Sequence, residues 1–131
     1  MIGLDTNILV RFFMQDDHTQ GTQVDAVMKS LTEAEPGWVG LAVLMELIWV
    51  LTSTYRTNRA ELIRVLNHLL SRNEIVIEQA EAVRHAVRIY RDSNVGFADC
   101  LISSSARAAG CTQTLTFHQD AAKSAGMTLV R

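Results

Sequence analysis

The sequence predicts an α/β protein: a three-layer α/β/α sandwich with a mainly parallel central sheet of about four to five strands. Two observations predict it. Short apolar or β-branched runs alternate along the chain with longer segments whose apolar residues recur at helical spacing. The length of 131 residues, with 48% hydrophobic content and one proline, fits a single folded domain spanning 1–131 and no disordered tract.

Met1 to Leu4 reads as a short buried strand, and Ile8, Leu9, Phe12 and Phe13 as the apolar face of the helix that follows. Gln15 to Thr19 is polar and reads as a loop. Val24, Val27, Met28 and Leu31 mark a second helix, which Glu35-Pro36-Gly37 stops before an apolar strand run, Trp38 to Leu41. Ala42 to Tyr55 is long enough for a helix and apolar on most sides, so it is expected to pack between the sheet and another helix. Asn58 and Glu61 form a capping box, and Leu62, Leu66, Leu69 and Leu70 are the stripe of the helix it opens.

Ile75 to Ile77 is β-branched and reads as strand, followed by a helix carrying Ala80, Val83, Val87 and Tyr90. Phe97 to Ala109 continues as a small-residue helix closed by Gly110, and Gln113 to Phe117 reads as strand. A last short helix, Ala121 to Ala125, precedes a final strand, Met127 to Val130. Strands alternating with helices place the sheet between helical layers.

Composition excludes several function classes. The formal charge of -2 supplies no global basic field, so nucleic-acid binding has to come from a local patch. Cys100 and Cys111 lack paired-motif spacing and no secretory leader opens the chain, which implies a reduced, cytoplasmic setting. The longest uncharged apolar stretch is interrupted by Glu46 and is shorter than a membrane span. There is no G-x-S-x-G elbow, no P-loop and no Cys-His pair at telling spacing.

In an open α/β sheet, ligands bind where strands end and the following helices begin. Four acids stand at such places or within such helices: Asp5, Glu46, Asp99 and Asp120. Asp5, Thr6 and Asn7 are all good N-caps, but one cap needs only one residue, which leaves at least one for other work. Glu46 is the sole charge between Glu35 and Arg56 and is flanked by Leu44, Met45, Leu47 and Ile48. An acid in that setting is expected to be paired, protonated or bound to a cation, or else to line a cleft. Asp99 also suits the first turn of its helix, and Asp120 suits a cap on the last short helix. Taken together, neighbouring carboxylates repel unless a counter-charge joins them, and hard oxygen donors suit Mg²⁺ or Mn²⁺. Such an ion can activate water and stabilise charge on a phosphodiester under attack, so metal-assisted phosphodiester hydrolysis is the chemistry these residues leave.

Ile2-Gly3-Leu4-Asp5-Thr6-Asn7-Ile8-Leu9-Val10-Arg11-Phe12, Met45-Glu46-Leu47, Phe97-Ala98-Asp99-Cys100-Leu101-Ile102 and Leu115-Thr116-Phe117 occur in that order. In these motifs and in size the chain resembles the PIN-domain nucleases, in particular the VapC-type toxins of bacterial toxin-antitoxin pairs. The resemblance covers essentially the whole chain. It implies Asp5, Glu46 and Asp99 as catalytic, metal-binding acids, Thr6 or Asn7 steadying the site, and RNA cleavage dependent on Mg²⁺ or Mn²⁺. It also implies a homodimer and a cognate antitoxin seated in the active-site groove. Two positions depart from the family pattern: His118 stands where many relatives carry an aspartate, and Gly96 where many carry an acid. The fourth ligand is then Asp120, or His118 through a ring nitrogen, or absent.

With the four candidate acids set aside, the remaining surface is mildly basic. Arg84, Arg88 and Arg91 recur at helical spacing as a phosphate track or a plain solvated face, and Arg11 is placed to meet a phosphate or an antitoxin carboxylate. Two other readings compete. A receiver-like signalling domain needs paired acids after the first strand and a lysine at the end of a late strand, whereas Asp5 stands alone and Lys123 falls in a helix. A PIN-like module that only binds partners is compatible with His118 and Gly96 but gives Glu46 no purpose.

Overall fold

Three short strands, β1 (Ile2–Gly3), β2 (Gly37–Val39) and β3 (Ile75–Ile77), pair in the order β1-β2-β3, and both pairings are parallel. They lie in the first of two compact units, Met1–Glu78 and Gln79–Arg131, into which the chain divides; the computed structural model describes residues 1–131. Ile2 is opposite Gly37 and Gly3 opposite Trp38, while Gly37 to Val39 run beside Ile75 to Ile77. A Cβ on Gly37 would lie 2.8 Å from Leu4 Cδ1 and 3.0 Å from Leu31 Cδ1, so glycine is what lets the two leucines close over β2.

Four helices accompany this sheet: α1 (Thr6–Met14), α2 (His18–Ser30), α3 (Leu41–Ser53) and α4 (Arg59–Ser71). Helix α1 packs on α2 and α3, and α4 packs on β3. The core holds Leu9 from α1, Leu44, Leu47 and Leu51 from α3, and Leu66 and Leu69 from α4, all almost wholly buried. Each contributes about 1.5–3 kcal/mol relative to an exposed side chain. The capping box predicted at Asn58 is present in its forward half, with the Asn58 side chain accepting from Glu61 N at 2.9 Å. Helix α2 begins earlier than its apolar spacing indicates, because Asp17 accepts from Gln20 N at 2.9 Å and draws His18 and Thr19 out of the predicted loop. Val27, expected on the apolar face of α2, is exposed.

The second unit holds α5 (Ala80–Arg91), α6 (Phe97–Ala108), α7 (Gln119–Ser124) and a parallel pair, β4 (Leu115–Thr116) with β5 (Thr128–Leu129). Helices α5 and α6 pack together, burying Val83, Ala86, Val87 and Tyr90 from one and Phe97, Cys100 and Leu101 from the other. The Tyr90 and Phe97 rings meet edge to face with centroids 5.6 Å apart. Gly110 ends α6 in the left-handed region at φ 98°, as predicted from its position, and Cys111 N bonds back to Ala106 O at 3.0 Å. Cys100 and Cys111 form no disulfide.

The mixed α/β class and the parallel pairing expected from the sequence are thus what the structure shows. The strands are shorter than the apolar runs that announce them, since pairing counts only residues with a partner strand opposite. Backbone bonds such as Leu4 N to Trp38 O at 2.9 Å and Val130 N to Thr116 O at 2.8 Å continue the ladders one residue further. No helix is long and apolar enough to cross a membrane.

Candidate active site

Asp5 stands at the junction of β1 and α1 as the N-cap of the helix. Its Oδ1 accepts from Thr6 N at 2.8 Å, the first amide of the helix, and Oδ2 has no protein partner. The capping reading of Asp5 is therefore correct and uses one of its two carboxylate oxygens. Thr6 is 3% exposed, and its Oγ1 is buried with no hydrogen-bond partner. Leaving a hydroxyl in that state costs about 1–3 kcal/mol, which marks this helix start as unfinished by the protein alone. Asn7 is exposed.

Glu46 differs from its sequence reading. Helix α3 is not enclosed on all sides: Ala42, Glu46, Trp49 and Ser53 form an exposed face at helical spacing, while Leu44, Leu47, Ile48 and Leu51 are buried. The Glu46 carboxylate is exposed on this open face and makes no ion pair, so the salt-bridged alternative is not what the structure shows. Trp49, one turn along from Glu46, is 68% exposed.

Arg11 is engaged within its own unit. Its Nε donates to Gln20 Oε1 at 2.6 Å and its Nη1 to Asp16 Oδ1 at 2.8 Å and to the Tyr55 hydroxyl at 3.4 Å. Tyr55 in turn donates to Asp16 Oδ2 at 2.7 Å. That hydrogen bond first, and the Arg11 charge after it, hold the Asp16 carboxyl below its ordinary range. The network ties the α1–α2 connection to the end of α3. Sequence spacing offered no means of finding it, since Tyr55 is 39 residues from Asp16.

In the second unit Asp99 lies in the first turn of α6, after Gly96. His118, which precedes α7, brings Nδ1 to 3.0 Å from Asp99 Oδ2, and its Nε2 lies 3.9 Å from Asp120 Oδ2. Asp99 and the two residues left open as fourth-ligand alternatives, His118 and Asp120, are therefore neighbours, arranged as a chain with the imidazole between two carboxylates. They do not converge on one point, and no group of three or more His, Cys, Asp or Glu side chains is gathered as a ligand set. Phe117, next to His118, is 82% exposed. Of the arginine stripe on α5, Arg84 pairs with Glu81 at 2.5 Å, and Arg88 and Arg91 are exposed without an ion pair.

The donors fit a hard divalent cation in kind: Asp5 with a free oxygen beside an unsatisfied threonine hydroxyl, Glu46 unpaired, and Asp99 steadied through one oxygen by an imidazole. An α/β chain opening on strand-Asp-helix, with further acids inside α3 and at the start of α6, is the layout of a family of nucleases. The chain belongs to the PIN-domain family, whose match runs through residues 2–126. It is similar to the VapC ribonuclease of Aquifex aeolicus (strain VF5), with 25% identity over 115 residues covering 87% of this chain and 84% of that protein.

Proposed function

We propose that the chain is an endoribonuclease that depends on Mg²⁺ or Mn²⁺ and serves as the toxin of a toxin-antitoxin pair. The observation that carries the reading is the family match through residues 2–126, together with the incompletely satisfied Asp5-Thr6 start of α1. The similarity to a VapC ribonuclease supports RNA as the substrate. Asp5, Glu46 and Asp99 are the residues that would hold the ion, with Asp120 or His118 as a fourth donor. When bound, such an ion lowers the pKa of water and stabilises negative charge on the phosphodiester under attack.

The chain's own groups supply positioning. Thr6 N fixes the rotamer of Asp5 through Oδ1 and leaves Oδ2 available. His118 Nδ1 does the same for Asp99 through its Oδ2. Arg88 and Arg91, which carry no internal ion pair, are free to meet phosphates of the substrate or carboxylates of an antitoxin. We read the protein as cytoplasmic and homodimeric, with its antitoxin in the active-site groove.

The deciding experiment is RNA cleavage by the purified protein with and without chelator, beside Asp5→Asn, Glu46→Gln and Asp99→Asn. Cleavage that requires the metal and is lost in each variant supports the assignment. Chelator-resistant cleavage, or full activity in Asp5→Asn, overturns it. Absence of cleavage with retained antitoxin binding would make the chain a PIN-like partner-binding module instead.

A further inference from the structure

The second unit contains a cavity of about 510 Å³ between α5, α6 and the segment around β4 and α7. Its lining includes two nitrogen bases, His85 and Arg107, and the hydroxyls of Ser103, Ser104, Thr114 and Ser124, but no aspartate or glutamate. Arg107 is exposed and makes no ion pair, as is also true of Arg88 and Arg91. Ser104 is 4% exposed, and its Oγ is buried without a hydrogen-bond partner. A cavity with a cation, several hydroxyl donors, one unsatisfied buried hydroxyl and no carboxylate has the chemistry of an anion site.

Its place on α6 says which anion. Asp99, Ser103 and Arg107 are spaced four residues apart and share one face of that helix. At the helical rise, Arg107 is roughly 12 Å along the axis from Asp99. A single RNA strand whose scissile linkage lies at Asp99 would carry one of its flanking phosphates to Arg107.

We propose that this cavity is a phosphate-binding subsite, in which Arg107 and the surrounding hydroxyls take an RNA backbone phosphate away from the scissile linkage. The proposal rests on the nuclease reading above. It makes Arg107 a positioning residue that fixes the register of the strand around the scissile linkage.

The test uses the intact protein in chelator, where RNA is bound and not cleaved. A short labelled single-stranded RNA is titrated against wild type, Arg107→Ala and Arg107→Lys across a range of salt. The expected results are a loss of affinity of about tenfold in Arg107→Ala and a slope of log K against log salt shallower by about 0.7, with the slope kept in Arg107→Lys. An oligonucleotide carrying one neutral methylphosphonate, moved linkage by linkage, should weaken wild type at a flanking linkage and leave Arg107→Ala indifferent there. Equal affinity and equal salt slope in wild type and Arg107→Ala overturn the proposal. So does binding of inorganic phosphate or a nucleoside monophosphate that depends on Arg107 while RNA affinity does not, which would assign the cavity to a small phosphorylated ligand. Failure of the nuclease reading would be seen separately, as absent cleavage by wild type with metal restored.

Discussion

His118 Nδ1 and Asp99 Oδ2 lie 3.0 Å apart, so the imidazole is in direct contact with one of the proposed metal-binding acids. A hydrogen-bond partner fixes a ligand's orientation, and losing one typically costs about 10–100-fold in metal affinity or activity. His118→Ala is expected to lower cleavage within that range while leaving urea stability nearly unchanged, because the ring is largely exposed. A second measurement separates orientation from ligation. Imidazole matches Mn²⁺ better than Mg²⁺, so a coordinating His118 gives a Mn²⁺ preference that His118→Asp narrows. Identical Mg²⁺ and Mn²⁺ profiles in the two proteins would confine His118 to holding Asp99.

Asp5 caps α1, and the proposed function gives it a metal to hold as well; two substitutions distinguish the two roles. Asparagine caps as well as aspartate, so Asp5→Asn is expected to keep the stability of the protein while abolishing metal-dependent cleavage. Asp5→Ala removes the Oδ1 bond to Thr6 N as well and should cost about 1 kcal/mol by chemical denaturation. If Asp5→Asn lost as much stability as Asp5→Ala, its inactivity could not be ascribed to the metal site.

Tyr55 controls Asp16. Its hydroxyl hydrogen bond is the main cause holding the Asp16 carboxyl below its ordinary 3.8, with the Arg11 charge assisting. Since the folded pKa is depressed, the network's contribution is present above the ordinary value and is lost as pH falls through the folded one. Tyr55→Phe should move the Asp16 titration upward, followed by carboxyl NMR, and should weaken the acid sensitivity of the folded state. In a double-mutant cycle, Tyr55→Phe and Arg11→Ala should be less than additive, because they share Asp16.

His68 supplies a pH dependence of the opposite chemical type. Burial first, and the nearby Arg72 charge second, lower its pKa from 6.5 despite the opposing Glu74. The rings of Phe12 and Phe13 lie with centroids 5.7 and 5.6 Å from the imidazole. The folded state thus prefers the neutral ring, and the unfolded chain takes up protons first as pH falls below 6.5. Stability should decline between that pH and the lower folded value, then level off. His68→Gln should flatten the decline, measured as urea midpoints across the range.

What could be read from the sequence was whatever is local. Asp5 at a strand-to-helix junction, Asn58 capping toward Glu61 and Gly110 ending α6 each rest on a few neighbouring residues and one backbone preference. Glu46 shows where that reading stops. The apolar density around it suggested an enclosed helix, yet Ala42, Glu46, Trp49 and Ser53 share an open face, and only the packing of α3 reveals it. The contacts made by His118 and Tyr55 were equally out of reach, since their acids lie 19 and 39 residues away and local spacing encodes no such pairing. The partnerless hydroxyls of Thr6 and Ser104 could not be foreseen at all, because an unmet hydrogen bond is a property of the surroundings.

Trp49 on that open face is also an optical instrument. The chain has two tryptophans, and the other, Trp38, packs against Gly40 at the end of β2. A Trp38→Phe variant would emit from a single indole, one helical turn from Glu46 and in contact with solvent. Its emission maximum and its quenching by added ions, nucleic acid or protein would record an arrival at this face of α3 without a label, including in inactive variants.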